Sequence, residues 1–324
     1  MLRDAGSYFD IASIYELDKV LSLGVAPEKL SYGNTIKKAK DIEYSYERGV
    51  RLFVTDCQAD IYNISKYAPG SQVYVRILFQ GAETADWPLS RKFGCTSNEA
   101  IRLITKAKEL NLDIYGISFH VGSQQRDIRQ WSEALAQVEH IFYSLQKQGI
   151  KLKMINMGGG FPAKYLQKAS NISEYASEIT RYLKDYFGEN LPEIMLETGR
   201  SIVGDAGILI SEIITIASKK NNDTHRWVYV DAGKYNGLIE TIDESIKYPV
   251  VTATENDEEK GNVILAGPTC DSYDIMYEKT KYQLPLNLGL GERLYWLTTG
   301  AYTTSFASIE FNGFPPIKAY FMGS

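Results

Sequence analysis

The sequence predicts an α/β protein: a (β/α)8 TIM-type barrel lacking its first strand, followed by a smaller, mainly antiparallel β domain. From residue 1 to about residue 206, short apolar runs alternate with longer amphipathic stretches, which is typical of repeated strand–helix units. Most of these runs end in polar or glycine-rich residues, the kind that form the active site of such barrels. After residue 207 the helical periodicity fades, so we expect two domains, residues 1–206 and 207–324.

Seven apolar runs in the first domain are predicted strands. Seven is one fewer than a closed barrel needs, so either one strand is unrecognised or it lies outside these 324 residues. The runs are "YFDIA" (8–12), "KLSYG" (29–33), "LFVTD" (52–56), "VYVRILF" (73–79), "IYGISFHVG" (114–122), "KMINMGG" (153–159) and "EIMLETG" (193–199).

Capping residues mark the helices predicted between these strands. Ser13 is a predicted N-cap of a helix that closes on Gly24. Either Ser97 or Asn98 caps the helix in "TSNEAIRLITKAKEL", whose apolar residues recur at helical spacing. The helix in "SEYASEITRYLKDYFG" is predicted to end at Gly188.

Four runs rich in Val, Tyr and Ile are predicted strands of the second domain. Two charged stretches, "KKNNDTH" (219–225) and "ENDEEKGN" (255–262), are predicted hairpin loops because they are polar and lie between such runs. The four runs are "RWVYVDAG", "NVILAGPTC", "ERLYWLTTGAY" and "IKAYFMG".

The composition argues against several classes of partner. A net charge of -5 and a pI near 5.5 provide no basic surface for nucleic acid or for an anionic membrane. Cys57, Cys95 and Cys270 are far apart, show no zinc-binding spacing and are typical of a reducing compartment. The N-terminal segment is charged and no apolar run reaches membrane-spanning length, so we expect a cytoplasmic protein with no metal site.

The stretch "INMGGGFPAKY" (155–165) contains the first candidate for a binding site. Consecutive glycines allow backbone N–H groups to approach an anion closely, so Gly158, Gly159 and Gly160 form either a phosphate cradle or a flexible strand-to-helix connection. The spacing matches neither a dinucleotide-binding fingerprint nor a Walker loop. The motif alone leaves both interpretations open.

Other candidates also follow predicted strands. His120 ends an apolar strand and is either a core residue or a ligand-facing group, while Gly122 and Ser123 beside it offer a backbone donor and a hydroxyl. Glu197 ends the last predicted strand of the barrel, and Arg200 follows it in the loop. They either form a salt bridge with each other or bind a ring nitrogen and a phosphate group, respectively.

A thiol and a carboxylate are neighbours in "GPTCDSYD" (267–274), directly after a Gly-Pro turn. A cysteine in a β domain is usually a packing residue. A Cys-Asp pair on a turn is less usual for packing, so Cys270 and Asp271 are candidates for chemistry as well.

Six motifs, in this order along the chain, resemble one family. They are similar to those of the fold-type III, alanine-racemase-like pyridoxal-phosphate decarboxylases, which act on ornithine, lysine, arginine or diaminopimelate. The resemblance runs from Asp10 to the C-terminus, and "WPLSRKFGC" (87–95) and "GLIETIDESIKYP" (237–249) look most like the bacterial ornithine/lysine branch. The six motifs are "FHVGSQ", "GGGFP", "ETGR", "GPTCDSYD", "GAYT" and "FNGF".

The resemblance implies pyridoxal 5'-phosphate as cofactor and a role for each matching residue. His120 is implied to stack on the pyridine ring, and Glu197 to pair with the pyridine nitrogen and keep it protonated, which makes the cofactor an electron sink. The residues implied to hold the phosphate are Ser123, Gly158, Gly159, Gly160, Arg200 and Tyr302.

The resemblance also implies how the substrate is bound. Cys270 is implied to reprotonate the carbanion left after CO₂ loss, and Asp271 to bind the distal ammonium of the substrate. Diaminopimelate decarboxylases carry Cys-Glu at this position, so Cys-Asp favours ornithine or lysine. Asp243 or Glu244 corresponds to a further substrate-binding acid. In this family the thiol and its neighbouring acid come from the second subunit, which implies a homodimer with shared sites.

Three departures from the family pattern stand out. Asn156 replaces the aspartate that usually precedes "GGGFP", and Thr198 replaces the proline of the usual "EPGR". The family's Schiff-base lysine lies on the first barrel strand in a "YAVK"-like motif upstream of "FDIAS", and these residues contain no such motif. We therefore expect a piece of a decarboxylase or a degenerate relative.

The function implied by the resemblance is decarboxylation of ornithine or lysine to putrescine or cadaverine, in polyamine biosynthesis. The alternatives are a non-catalytic relative that binds a protein partner, as an antizyme inhibitor does, and a diaminopimelate or arginine decarboxylase. The reading frame upstream of Met1 discriminates between the enzyme and the non-catalytic relative, because a "YAVK"-like stretch there would indicate the enzyme. For the chain as given we expect little or no CO₂ release from ornithine in the presence of pyridoxal phosphate.

Overall fold

A computed structural model describes residues 1–89, 92–221, 223–253, 259–308 and 317–321. The chain divides into two compact units. The first unit comprises Met1–Gly160 and Asn171–Glu197, and the second comprises Phe161–Ser170 and Thr198–Ser324.

The first unit is built on a sheet of seven parallel strands that are neighbours in chain order. Strands in this order, joined by helical crossovers, form the curled parallel sheet of a (β/α) barrel, and all seven strands predicted from the sequence are confirmed. Within the described residues, β1 and β7 are its outer strands. The strands are β1 Phe9–Ile11, β2 Leu30–Tyr32, β3 Leu52–Thr55, β4 Gln72–Arg76, β5 Asp113–Ser118, β6 Met154–Asn156 and β7 Glu193–Met195.

Six longer helices connect these strands and cover the sheet. In the fourth, the buried residues Ala100, Leu103, Ile104 and Ala107 recur every three or four positions, so one stripe of the helix packs on the core. The helices are α1 Ile14–Ser22, α2 Ala39–Glu47, α3 Gln58–Tyr67, α4 Ser97–Glu109, α5 Arg129–Gln146 and α6 Ile172–Phe187; a single turn, α7 Arg200–Val203, lies in the second unit.

The helix ends agree with the capping signals in the sequence at three of four positions. The Ser13 side chain accepts a hydrogen bond from the Glu16 N–H, and Gly24 and Gly188 take positive φ angles after their helices. The prediction of Ser97 or Asn98 as the cap of α4 was wrong. Thr96 caps this helix because its hydroxyl accepts the Glu99 N–H, which places Ser97 inside the first turn.

The second unit contains a six-stranded sheet with the order β10-β13-β8-β9-β11-β12. All its strand pairs are antiparallel except β9 with β11. The long strands β8 and β12 were not recognised from the sequence, whereas three predicted runs form β9, β11 and β13. The strands are β8 Ile208–Ala217, β9 Arg226–Val230, β10 Val250–Thr252, β11 Lys260–Ala266, β12 Ile275–Pro285 and β13 Arg293–Leu297.

Of the other predictions for this unit, some agree with the structure and others do not. The stretch "KKNNDTH" joins the antiparallel strands β8 and β9, as expected of a hairpin loop. "IKAYFMG" was predicted to be a strand, but its described residues, 317–321, are irregular. In "ENDEEKGN", residues 255–258 lie outside the described residues and 260–262 begin β11, so this stretch is not simply a loop. "FNGF" (311–314) also lies outside the described residues.

No helix in the described part of the chain is long and apolar enough to cross a bilayer.

A buried ion pair joins the loop after β2 to the helix after β3. The Lys37 side chain is fully buried, and its Nζ donates hydrogen bonds to Asp60 Oδ2 at 2.8 Å and to the Val54 carbonyl oxygen at 2.7 Å. Burial lowers the pKa of Lys37 and raises that of Asp60, while the attraction between them opposes both shifts. Each charge therefore depends on the other to remain ionised inside the protein.

Substituting Lys37→Met removes the cation and leaves the Asp60 carboxylate buried without its partner. Because an unpaired buried charge is costly, we expect the free energy of unfolding to fall by about 3–5 kcal/mol. Urea unfolding followed by circular dichroism measures this change. The control Lys38→Met, at the neighbouring exposed lysine, should shift it by less than about 0.5 kcal/mol. Equal effects of the two variants would contradict the account.

Candidate active site

The register of the parallel sheet brings the predicted site residues of the first unit together. Ser118, Asn156 and Met195 lie side by side at the ends of β5, β6 and β7. Two residues further along each strand come His120, Gly158 and Glu197, respectively. These three groups therefore meet at one edge of the sheet, at the carboxyl ends of the strands, where barrels carry their active sites.

The three glycines lie where no other residue fits. A Cβ atom on Gly158 would come within 2.4 Å of the Phe119 carbonyl oxygen, and one on Gly160 within 2.5 Å of the Gly122 carbonyl oxygen. Both glycines also have positive φ angles, +62° and +99°. The loop after β6 is therefore packed backbone against backbone on the loop after β5.

Two N–H groups of this glycine loop have no hydrogen-bond acceptor. Gly158 N–H is bound by Asn156 Oδ1 at 2.9 Å, but the N–H groups of Gly159 and Gly160 find no acceptor among the described residues. Gly159 is buried, and a buried N–H without an acceptor is uncommon in proteins. These two donors are available to an anion, which fits the phosphate cradle better than a flexible connection.

His120 presents a neutral ring to a cavity of about 170 Å³ that is also lined by Arg76, Phe79 and Phe93. Its Nδ1 accepts a hydrogen bond from the Gly122 N–H at 3.0 Å, which leaves the proton of the neutral ring on Nε2. Burial, assisted by the nearby Arg76 cation, lowers the pKa of His120 to about 3. At neutral pH this side chain offers a flat uncharged face.

Glu197 is held at the edge of the sheet by Asn156, whose Nδ2 donates to Glu197 Oε1 at 2.6 Å. Burial raises the pKa of Glu197, while the Asn156 hydrogen bond and the Arg76 cation act in the opposite direction. Asp10 on β1 lines the same cavity of about 380 Å³ as Glu197, and its pKa is raised well above the usual range by burial and by the Glu197 charge.

Sequence reasoning missed Asp10 and Arg76 as members of this site. Arg76 ends β4 and is paired in register with Ser118, so it lies in the same row as the residues that precede His120 and Glu197. Both are charged residues in otherwise apolar strands, which is the signal that could have identified them. Arg76 ends a largely buried strand, where a charge needs a partner or a ligand.

In the second unit, Arg200 and Tyr302 lie together. The Arg200 guanidinium is 4.6 Å from the centre of the Tyr302 ring, and Tyr302 has a positive φ of 55°. Arg200 also donates two hydrogen bonds to the Glu240 carboxylate, at 2.6 and 2.7 Å, and one to the Tyr165 hydroxyl. Sequence reasoning did not single out Glu240, which neutralises the arginine and fixes its orientation.

The turn that carries Cys270 and Asp271 is anchored by Asp274. The Asp274 carboxylate accepts hydrogen bonds from the Lys234 N–H at 2.8 Å and from the Thr269 N–H and hydroxyl at 3.1 and 2.8 Å. Cys270 is exposed at the top of this turn, so it is not a core packing residue. The Asp271 carboxylate accepts the Tyr273 N–H at 2.7 Å.

The structure separates the roles of Asp243 and Glu244, which share a short left-handed segment with φ angles of 53° and 56°. The Glu244 carboxylate accepts the backbone N–H groups of three successive residues of β12, 278–280, at 2.6–2.8 Å. Asp243 is exposed. Glu244 therefore fastens this segment to β12, and Asp243 is the better candidate for a substrate-binding acid.

Residues 1–204 match the family model of the pyridoxal-dependent decarboxylase pyridoxal-binding domain. The chain belongs to this family. It is 31% identical over 325 residues to "Decarboxylase flvG" of Aspergillus flavus, covering 97% of this chain and 74% of that protein. It is also 31% identical over 328 residues to antizyme inhibitor 2 of Xenopus laevis, covering 97% of this chain and 70% of that protein.

A solved structure of a family member has the same fold. Lysine/ornithine decarboxylase from Vibrio vulnificus, complexed with putrescine, aligns with a TM-score of 0.84 and 30% identity over 97% of this chain and 81% of that chain. Pyridoxal phosphate is the cofactor of the family. The residues present fit it, because the glycine loop offers two free N–H donors for an anion and His120 and Glu197 offer a flat ring and an acid.

The hydrogen bonds that the Glu244 carboxylate accepts predict an acid-sensitive contribution to stability. Burial opposes ionisation, but the Thr280 side chain and the three N–H groups bring the pKa of Glu244 below 4.5. Because the folded-state pKa is the lower one, the contribution is complete above about pH 4.5 and is lost as the pH falls through the folded value.

The variant Glu244→Gln replaces one carboxylate oxygen by an NH₂ group that faces a backbone N–H. We expect the free energy of unfolding to fall by about 1–3 kcal/mol at pH 7, with a smaller deficit relative to the wild type at pH 3.5. Urea unfolding at the two pH values measures it. Glu278→Gln, at an exposed position of β12, serves as control. A deficit independent of pH would refute the role given to the carboxylate.

Proposed function

We propose that the protein catalyses the pyridoxal-phosphate-dependent decarboxylation of ornithine or lysine, giving putrescine or cadaverine. The observation that carries the proposal is the pair of unbound N–H groups of Gly159 and Gly160, beside a neutral His120 and the Glu197 carboxylate. The similarity to the lysine/ornithine decarboxylases of Selenomonas ruminantium and Vibrio vulnificus supports this substrate class. A cytoplasmic location and a place in polyamine synthesis remain predictions.

The proposal assigns a role to each candidate site residue of the first unit. The N–H groups of Gly159 and Gly160, with Ser123, hold the phosphate, and the uncharged face of His120 packs on the pyridine ring. Glu197 holds a proton at the pyridine nitrogen. Bound pyridoxal phosphate would supply an electron sink for the electron pair that stays on the α-carbon when CO₂ departs.

The family resemblance assigns further tasks to residues of the second unit. Arg200 and Tyr302 contribute to phosphate binding, with Glu240 fixing the guanidinium in one orientation. Cys270 donates the proton that replaces the carboxylate, for which an exposed thiol on an anchored turn is suited. Asp271 and Asp243 receive the distal ammonium. We further propose a homodimer in which a second copy supplies the turn with Cys270.

A second candidate function is supported by the similarity to antizyme inhibitor 2 of Xenopus laevis. On this alternative the chain binds a protein partner and releases no CO₂. The two candidates differ in what they require of Cys270, because a protein-binding role gives the thiol no chemical task. Arginine and diaminopimelate remain alternative substrates of the enzymatic proposal.

The proposal is tested with protein expressed from the full reading frame and reconstituted with pyridoxal phosphate. We expect CO₂ release from ornithine or lysine, and we expect Cys270→Ala to lower kcat by about 10²–10⁴-fold because the general acid is lost. Binding of pyridoxal phosphate, followed by its visible absorption, should not change. Cys57→Ala, at another exposed cysteine, should behave as the wild type.

Two results would count against the enzymatic proposal. Wild-type protein that binds pyridoxal phosphate but releases no CO₂ from any of the four amino acids would favour the protein-binding alternative. Wild-type protein that does not bind pyridoxal phosphate at all would overturn the assignment of the glycine loop and of Glu197.

A further inference from the structure

Asn156, Gly158 and Glu197 are joined in a closed ring of hydrogen bonds. Asn156 Nδ2 donates to Glu197 Oε1 at 2.6 Å, the Glu197 N–H donates to the Gly158 carbonyl oxygen at 2.9 Å, and the Gly158 N–H donates to Asn156 Oδ1 at 2.9 Å. The side chain of Asn156 is completely buried at the end of β6. The ring thus connects the start of the glycine loop to the acid at the end of the next strand.

Only an amide satisfies the two hydrogen bonds that the Asn156 side chain makes with Gly158 and Glu197; the Tyr74 hydroxyl also interacts with this amide. The Gly158 N–H requires a hydrogen-bond acceptor at position 156, and the Glu197 carboxylate requires a donor there. An aspartate could accept the Gly158 N–H, but its second oxygen would face the Glu197 oxygen at hydrogen-bond distance unless a proton lay between them. The aspartate that the family usually has here would therefore make Glu197 share a proton.

Other charged and titratable groups face this corner of the site. Asp10 approaches from β1, Arg76 and Tyr74 from β4, and His120 from the end of β5. The Tyr74 hydroxyl is hydrogen-bonded to Ser31 at 2.8 Å. Arg76 is the only cation among these groups, so a further carboxylate at position 156 would add negative charge to a pair of acids that already repel each other.

We propose that Asn156 is a positioning residue that fixes Glu197 relative to the glycine loop and keeps it a pure hydrogen-bond acceptor. This inference rests on the proposed function, in which these two elements bind opposite ends of one cofactor. A neutral amide holds both ends in place without taking or giving a proton. The distance between the two binding elements is then independent of pH in the neutral range.

The test uses pyridoxamine 5'-phosphate, which has the ring nitrogen and the phosphate but no aldehyde, so binding does not depend on a lysine. Its dissociation constant is measured by fluorescence for wild type, Asn156→Asp and Asn156→Ala between pH 5.5 and 8.5. Asn171→Asp is the control, because Asn171 caps α6 through an oxygen that aspartate also has.

We expect Asn156→Asp to bind about as tightly as the wild type at pH 5.5, where the two acids share a proton. We expect it to bind about tenfold more weakly by pH 8.5, where both acids are ionised. Asn156→Ala should bind more weakly at every pH, by a constant factor. A pH-independent loss in Asn156→Asp equal to that in Asn156→Ala, or no loss in either, would overturn the proposal.

A second measurement without ligand separates this inference from the proposed function. The thermal unfolding midpoint of Asn156→Asp should fall below that of the wild type increasingly as the pH rises from 5.5 to 8.5, whereas Asn171→Asp should follow the wild type. If the wild type binds no pyridoxamine phosphate, the proposed function fails, and the unfolding midpoints still decide the role of Asn156. A constant difference across this pH range would reject that role.

Discussion

The in-register pairing of β4, β5, β6 and β7 is the constraint on which the candidate site depends. Parallel pairing aligns Arg76, Ser118, Asn156 and Met195 in one row. Because these four strands end side by side, the residues that follow them lie close together at the carboxyl edge of the sheet, although they are far apart in the sequence. The glycines of the loop after β6 then allow backbones to come closer than side chains would permit, which brings His120, the loop and Glu197 into one corner.

In each unit a buried cation is paired with a carboxylate. Lys37 is paired with Asp60, and Arg200 with Glu240, each at hydrogen-bond distance. His120 avoids charge altogether, because burial keeps its ring neutral. The unbound N–H groups of Gly159 and Gly160 lie beside His120 and Glu197, and polar groups left without a partner at such a place are expected where a ligand binds.

The candidate site residues of the second unit lie in irregular segments that carboxylates fasten in place. Asp274 fixes the turn with Cys270, and Glu244 fixes the left-handed segment that displays Asp243. In both cases one acid accepts several hydrogen bonds from the backbone, while a second acid nearby is less constrained: Asp271 is half-buried and Asp243 is exposed. Asp274 and Glu244 are therefore less suited to bind a substrate ammonium than Asp271 and Asp243, because a carboxylate that already accepts several N–H groups has few lone pairs left for it.

The sequence by itself determined the seven strands of the barrel, three of the four predicted helix ends and part of the candidate site, because these depend on periodicity, caps and short motifs. It did not reveal that Thr96 rather than Ser97 caps α4, that Glu240 neutralises Arg200, or that Glu244 is bound to β12 while Asp243 is not. It identified Asn156 only as a departure from the family's usual aspartate before "GGGFP". These facts depend on contacts between residues far apart in the chain, whose distances only the tertiary structure sets.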